Sequence, residues 1–318
     1  MKLAFVYPGQ GAQYVGMGRE LARNYSAACE VFEKADAVLG FPISRYCFEG
    51  PEEDLIQNDI LQPAIFTVSM AVHAALTSEG VVPEAVAGLS VGEYAALAAA
   101  GVLSLEDALR LVRRRGQIMR EAVPPGTGGM LTIIGLSRAE VAKMCEEVGD
   151  VEPANFNCPG QIVVGGRKEA LEDLARLARE RGARKVIKVA MSSPSHCSLL
   201  REAADLLALE LEKVEFRDAK VWFFSNVDAV PRKDKEGIRS NLIRQLYSPV
   251  LWEDIMHGMA ALGVTHVVEA GPGHTLLGLI RKTLPAVWVS NVEDCKSLWA
   301  AIAALWAPQK EEMKVCSA

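Results

Sequence analysis

Short apolar segments alternate with longer amphipathic segments along most of this 318-residue chain. Segments of strand length lie at Leu3–Tyr7, 84–89, 265–269 and 287–289. Segments with a helical period lie at 64–78, 93–100, Leu105–Ala122 and 294–305. Alternation of this kind is typical of a mainly parallel sheet flanked by helices. We therefore predict an α/β fold.

The middle of the chain has a different order of elements. Strands are predicted at 130–135, 152–156, 162–165 and 185–189, and helices at 138–147 and 168–181. The order β-α-β-β-α-β is that of a ferredoxin-like unit. At about 150 residues per domain, the length fits two domains or one large domain with an insertion. We predict a large α/β catalytic domain, 1–126 and 191–318, with an inserted ferredoxin-like subdomain, 127–190.

Composition limits the class of protein. Half of the residues are hydrophobic and 23% are charged, so the chain can bury a large core. The net charge of −6 argues against a surface that binds nucleic acid throughout. Seven scattered cysteines without a C-x-x-C pair predict neither a disulfide framework nor a zinc site. With no signal-peptide pattern, and with 95–103 as the longest apolar stretch, we expect a soluble cytoplasmic protein.

The sharpest motif is a G-x-S-x-G pattern at residues 88–92, placed between a predicted strand and a predicted helix. This is the context of a nucleophile elbow, in which the two glycines allow a tight turn around the serine. Ser90 would lie at the N-terminus of the helix, where free backbone N–H groups favour an oxyanion. A glycine-flanked serine that only caps a helix is the alternative.

A serine nucleophile needs a base, and histidine is the usual one. Three of the five histidines fit structural or surface positions better, namely His73, His257 and His266. His274 opens a helix after a Gly-Pro-Gly turn, and His196 follows a polar loop at the junction of the two predicted units. Because active sites are common at such junctions, we favour His196 on position alone.

Arg115 breaks the pattern of an otherwise amphipathic helix, Leu105–Ala122. At about 100° per residue it falls near the middle of the apolar face. A buried guanidinium without an anion is very costly. Arg115 therefore predicts either an internal salt bridge to a protein carboxylate or a bidentate clamp for a substrate carboxylate.

Several stretches, taken together, resemble the malonyl-CoA:acyl carrier protein transacylases of fatty acid synthesis. The stretches are YPGQGAQ (7–13), GLSVGEY (88–94), RG (115–116), GTG (126–128), NFNCPGQ (155–161), PSHC (194–197), YSPV (247–250) and EAGPG (269–273). They run in order over nearly the whole chain. The resemblance implies an α/β-hydrolase-like large domain with a ferredoxin-like insertion, in agreement with the pattern of elements.

The resemblance also implies roles for individual residues. Ser90 would be the acyl-accepting nucleophile and His196 its base, oriented by a backbone carbonyl near 248–250. The backbone N–H groups of Gln10 and Val91 would form the oxyanion hole, and Arg115 would bind the free carboxylate of malonyl.

Two positions depart from the pattern of that family. Leu89 precedes the serine where histidine is usual, and Leu251 follows Val250 where a polar residue is common. If the group that orients the histidine is main chain, Leu251 is harmless.

The implied activity is transfer of malonyl from malonyl-CoA to the phosphopantetheine thiol of acyl carrier protein. It would proceed through a malonyl-serine, without a metal or a bound redox cofactor. We expect a monomer with no nucleic acid or membrane partner. The alternatives are an acyltransferase that serves a polyketide synthase, a serine esterase or thioesterase using His274, and a non-catalytic binding module.

Overall fold

Two separate β-sheets organise the chain, whose computed structural model describes residues 1–124, 126–189 and 194–307. The strands are β1 Leu3–Tyr7, β2 Ala85–Gly88, β3 Gly128–Ile134, β4 Val151–Cys158, β5 Gln161–Arg167, β6 Lys185–Lys188, β7 Trp222–Phe224, β8 Pro231–Arg232, β9 His266–Ala270 and β10 Trp288–Val292. The helices are α1 Arg19–Asn24, α2 Ser26–Leu39, α3 Ile43–Glu49, α4 Asn58–Ser78, α5 Gly92–Ala99, α6 Leu105–Ala122, α7 Arg138–Val148, α8 Lys168–Glu180, α9 Arg201–Leu211, α10 Lys235–Arg244, α11 Trp252–Ala261, α12 Thr275–Thr283 and α13 Cys295–Trp306.

The larger sheet has six strands in the order β10-β9-β1-β2-β7-β8. All pairs are parallel except that of β7 with the short edge strand β8. β1 is central and buried along its whole length, as expected of a strand covered on both faces. Its last residue, Tyr7, pairs with Gly88 at the end of β2, so the loops after these two strands lie side by side. The predicted α/β fold with a mainly parallel sheet is confirmed.

The second sheet is formed by one continuous part of the chain, with the order β4-β5-β3-β6 and antiparallel pairing throughout. The segment follows the predicted order β-α-β-β-α-β, and its core is shared with α7 and α8. β4, Val151–Cys158, begins one residue earlier and ends two residues later than predicted, and its pairing with β5 is irregular after Pro153 and after Phe156. The predicted boundary between 190 and 191 lies outside the described residues.

Backbone pairing and ion pairs hold the two sheets together. Asn155 of β4 forms a parallel bridge with Val250, whose carbonyl accepts a hydrogen bond from the Phe156 N–H at 2.9 Å. Arg138, at the start of α7, pairs with Glu253 and Asp254 of α11 at 3.0 and 2.8 Å. The edge of the smaller sheet is therefore fixed beside the segment that leads into α11.

The longest apolar helix among the described residues is α4, which is longer than the apolar stretch 95–103 but is interrupted by polar side chains. By length and composition α4 could cross a bilayer, but most of its residues are buried against other helices, as in a core helix. It also begins six residues before the predicted start, because Pro63 lies inside the helix instead of preceding it. The hydrogen bond that Pro63 cannot make is outweighed by the burial of the helix on both sides.

α6 packs closely against α4 at Gly116. A Cβ atom on Gly116 would lie 2.3 Å from the carbonyl oxygen of Asn58, so only glycine allows this approach of the two backbones. The neighbouring Arg115 is thereby carried into the interior, where its side chain is 1% exposed.

Gly116→Ala should lower the free energy of unfolding by roughly 1–3 kcal/mol, because the added methyl group forces α4 and α6 apart. Gly278→Ala, on an exposed position of α12 with no atom within 4 Å of the new Cβ, is the matched control. It should raise the free energy of unfolding by roughly 0.5–1 kcal/mol, as expected for alanine in a helix. Urea unfolding of both variants checks this, and equal shifts would contradict the close packing.

Candidate active site

Ser90 lies in a sharp turn between β2 and α5, and its φ of 54° is in the left-handed region that most side chains avoid. Glycine is required on both sides of this turn, because a Cβ atom at either position would clash with the backbone. A Cβ on Gly88 would lie 1.9 Å from the carbonyl oxygen of Gly92, and a Cβ on Gly92 would lie 2.3 Å from that of Tyr7. The predicted strand–turn–helix context of the G-x-S-x-G motif is confirmed.

Side chains from distant parts of the chain hold the strained turn. The Ser90 N–H donates to Asn226 Oδ1 at 2.8 Å, and Asn226 Nδ2 donates to the Gly88 carbonyl at 2.6 Å. The Ser90 carbonyl accepts from Gln245 Nε2 at 2.9 Å. Both backbone polar groups of Ser90 are thus hydrogen-bonded to side chains, and Ser90 lines the cavity.

His196 is the histidine that reaches the serine. Its Nε2 lies 2.7 Å from Ser90 Oγ, and its Nδ1 lies 2.8 Å from the backbone carbonyl oxygen of Gln245. Because a carbonyl can only accept, Nδ1 carries the proton and Nε2 is left to accept one from the hydroxyl. The orienting group is main chain, as the resemblance implied: the carbonyl of Gln245 makes this contact, three residues before Ser248, and the backbone of Ser248 also interacts with the His196 ring.

The electrostatic surroundings keep His196 neutral. Burial, assisted by the positive charge of Arg115, lowers the pKa of His196 to about 4. The imidazole is therefore uncharged at neutral pH and able to take up a proton from Ser90.

The other histidines lie elsewhere. His73 packs against Phe5, and its Nδ1 forms a hydrogen bond with Tyr7 Oη at 2.9 Å. His266, on β9, lies beside Trp288 of β10, with the two ring centroids 5.4 Å apart. His257 and His274 are exposed, on α11 and at the start of α12. The structure thus brings Ser90 to His196 and not to His274.

The Arg115 guanidinium lies beside the serine and donates hydrogen bonds to neutral oxygens. Nη1 donates to Gln62 Oε1 at 2.8 Å, and Nη2 donates to Ser90 Oγ and Gln245 Oε1, both at 3.2 Å. Across residues 1–124, 126–189 and 194–307, no carboxylate oxygen lies within 4.0 Å of the guanidinium, so a direct internal salt bridge is not formed. Burial lowers the pKa of Arg115, which shows how strongly the site opposes an unbalanced cation.

A cavity of about 260 Å³ opens between the two sheets in front of these three side chains. Gln10 and Val91 line it on the side of the large sheet, and Leu89 lies next to them. Within the part of the chain that the structure describes, neither the Gln10 nor the Val91 N–H donates to a protein acceptor. Two N–H groups without a protein acceptor at the wall of a cavity that Ser90 also lines are what the predicted oxyanion hole requires.

The opposite wall comes from the second sheet. It includes Met130 and Thr132 of β3, Asn155 and Asn157 of β4, and Gln161 of β5. Leu251 lies outside the cavity lining, and its N–H donates to the Asn226 carbonyl at 2.9 Å. Since Gln245 orients the histidine through its main chain, leucine at 251 leaves that contact intact.

Three residues of the site were missed from the sequence, namely Gln62, Asn226 and Gln245. They lie on α4, after β7 and after α10, and nothing in their local pattern indicates a buried amide. The sequence carries only an indirect signal for them. Arg115 lies on the apolar face of its helix, and a buried arginine requires oxygen atoms from elsewhere in the chain.

The fold and the serine–histidine pair define an acyl-transfer protein, and comparison with known families agrees. The model of the acyl transferase domain family matches residues 4–314. The malonyl CoA-acyl carrier protein transacylase of Salmonella typhimurium is 44% identical over 305 residues, covering 95% of this chain and 99% of the relative. The chain belongs to the family of malonyl CoA-acyl carrier protein transacylases.

Solved structures show the same fold. An acyl carrier protein S-malonyltransferase from Vibrio cholerae is 42% identical, with a TM-score of 0.92 over 95% of this chain and 100% of that one. A malonyl-transacylase solved in complex with a type II polyketide synthase acyl carrier protein is 39% identical, with a TM-score of 0.93 over 96% of this chain and 100% of that one.

His196 should remain unprotonated far below the usual histidine range. Because burial and Arg115 both depress its pKa, NMR titration of the His196 ring should show a midpoint near pH 4 instead of about 6.5. Arg115→Gln should raise this midpoint part of the way, since it removes the second cause. A midpoint near 6.5 in the unaltered protein would contradict the buried, neutral imidazole.

Proposed function

We propose that this protein transfers malonyl from malonyl-CoA to the phosphopantetheine thiol of acyl carrier protein, with Ser90 as the nucleophile. The observation that carries the proposal is the buried Arg115 guanidinium, 3.2 Å from Ser90 Oγ and with no carboxylate oxygen of the described residues within 4.0 Å. A cation held in this way fits an acyl group that brings its own carboxylate.

In the first half-reaction, Ser90 Oγ attacks the thioester carbonyl carbon while His196 Nε2 takes the hydroxyl proton. The negative charge on the carbonyl oxygen is stabilised by the N–H groups of Gln10 and Val91. The carbon–sulfur bond then breaks, and the coenzyme A sulfur takes the proton from His196. A malonyl ester on Ser90 remains.

In the second half-reaction the thiol of the carrier protein gives its proton to His196 and attacks the malonyl ester. The bond to Ser90 Oγ breaks, and the oxygen recovers the proton from His196. Ser90, His196 and the two N–H groups therefore serve both half-reactions, as in other ping-pong enzymes. Throughout, the carboxylate of malonyl stays paired with Arg115, so the acyl carbon keeps its position beside Ser90.

We further propose the finer description of the fold. The turn at Ser90 after β2 supports an α/β-hydrolase-like large domain, 1–126 and 191–318. The sheet order β4-β5-β3-β6 supports a ferredoxin-like insertion, 127–190. We also expect a cytoplasmic monomer that needs neither metal nor bound cofactor.

Two other functions use parts of the same site. A polyketide synthase acyltransferase would need the same residues, and one structural neighbour was solved with a carrier protein of that kind. A simple serine esterase has no use for a cation beside its nucleophile, so Arg115 disfavours it. Loading by malonyl-CoA and by a neutral ester, followed by intact mass, separates an esterase from a malonyltransferase.

Ser90→Ala should abolish the malonyl adduct and lower transfer by a factor on the order of 10³ or more. His196→Ala should slow transfer by about 10²-fold or more, because the hydroxyl loses its base. His274→Ala, at an exposed histidine that does not line the cavity, is the control and should retain transfer. Intact mass after incubation with malonyl-CoA and a stopped-flow loading assay check these results. A malonyl adduct on the Ser90→Ala protein would exclude Ser90 as the nucleophile.

Arg115→Ala should cost malonyl loading roughly 2–5 kcal/mol, as expected for loss of a desolvated charge pair. Acetyl loading should be spared or improved, since the cation that opposes a neutral acyl group is gone. Loading rates with malonyl-CoA and acetyl-CoA, measured beside the melting temperature, provide the check. Equal losses for both acyl groups, with a lower melting temperature, would show that Arg115 only stabilises the fold.

A further inference from the structure

Glu93 is a buried carboxylate that the proposed chemistry does not use. It is the second residue of α5, three positions after the nucleophile, and its side chain is 1% exposed. One oxygen, Oε2, accepts from Gln245 Nε2 at 2.6 Å and from the Asn226 N–H at 3.4 Å. Both partners are residues that hold the turn at Ser90.

The contacts of Gln245 show what this carboxylate does. Gln245 Nε2 donates both to Glu93 Oε2 and to the Ser90 carbonyl, while Gln245 Oε1 accepts from Arg115 Nη2 at 3.2 Å. A turned amide would place its oxygen against two acceptors and its NH₂ group against the guanidinium. Since every one of these contacts would then be repulsive, only one orientation of the amide is compatible with the site.

We propose that Glu93 is a positioning residue for malonyl selectivity, because it holds the Gln245 amide so that the amide oxygen faces Arg115. The proposal rests on the proposed function of the site. Glu93 does not touch the acyl group. It acts through Gln245, which keeps the Arg115 guanidinium directed toward Ser90 and therefore toward the carboxylate of a bound malonyl group.

This role needs an acceptor oxygen at residue 93 and not a charge. Burial raises the pKa of Glu93 to about 7, opposed by donors from Gln245, Ser225 and Asn226 and by the charge of Arg115. Tyr94 and His196 are the other titratable groups of the site. A protonated carboxyl group keeps one carbonyl oxygen, which can still accept from Gln245. The orientation of the amide is therefore maintained in both protonation states.

The chain allows a matched pair of variants at this position. In Glu93→Gln the amide oxygen can replace Oε2 and keep both hydrogen bonds, whereas Glu93→Met has similar length but no acceptor. Glu93→Met should lower the ratio of malonyl to acetyl loading at least about tenfold, chiefly through a higher KM for malonyl-CoA. Glu93→Gln should keep the malonyl-to-acetyl ratio within about threefold of that of the unaltered protein, because glutamine retains both hydrogen bonds.

A double variant tests whether Glu93 acts through Gln245. Gln245→Met alone should reproduce the loss of malonyl selectivity. Adding Glu93→Met to Gln245→Met should then lower the ratio no further, because the link has already been removed. Losses that add in the double variant would overturn the proposal.

Glu269→Met is the control for the loss of a buried carboxylate. Glu269 is 0% exposed and accepts from the N–H groups of Leu276 and Leu277, away from Arg115 and Gln245. This variant should melt at a lower temperature but keep the malonyl-to-acetyl ratio.

Two results separate this proposal from the function on which it rests. Unaltered protein that forms no malonyl adduct would refute the proposed function. A normal malonyl adduct on the unaltered protein, together with an unchanged ratio in Glu93→Met, would refute the role of Glu93 alone. An equal loss of selectivity in Glu93→Gln and Glu93→Met would also overturn it, since the acceptor would then not be what matters.

Discussion

A guanidinium group in a protein interior must be surrounded by oxygen atoms, and this requirement links the parts of the molecule. Arg115 takes its oxygens from α4 through Gln62, from the turn after β2 through Ser90, and from the segment after α10 through Gln245. These three parts are distant in sequence. Because they share one cation, the helix pair α4–α6, the nucleophile and the loop that orients His196 have to be placed together.

Gln245 has two separate tasks in this arrangement. Its backbone carbonyl fixes the tautomer of His196, and its side chain contacts both Arg115 and the carbonyl of Ser90. The serine and histidine therefore need no third acidic residue, since a main-chain carbonyl cannot lose its place through rotation of a side chain. A neutral carbonyl also leaves the imidazole free of a neighbouring negative charge, which is consistent with its low pKa.

The sequence predicts best those features that follow from local rules. The alternation of elements predicted the parallel sheet, the glycines around Ser90 predicted the turn, and the helical period of α6 placed Arg115 on a buried face. The choice of His196 depended on its position at a junction, and the resemblance to a family supplied its role.

What the sequence could not predict depends on contacts between distant segments. Gln245, Asn226 and Gln62 lie in unremarkable surroundings along the chain, and only packing turns their amides toward the site. The early start of α4 is of the same kind. A local rule ends the helix at Pro63, but tertiary burial of its flanking residues continues it to Asn58.

The bridge between Asn155 and Val250 has a mechanical consequence for the site. The small sheet forms one wall of the cavity, and its hydrogen bonds to Val250 attach that wall five residues after Gln245. Any rotation of the small sheet that widened the entrance would pull on the backbone that aligns the imidazole. The segment from 245 to 250 therefore links the position of the small sheet to the alignment of His196.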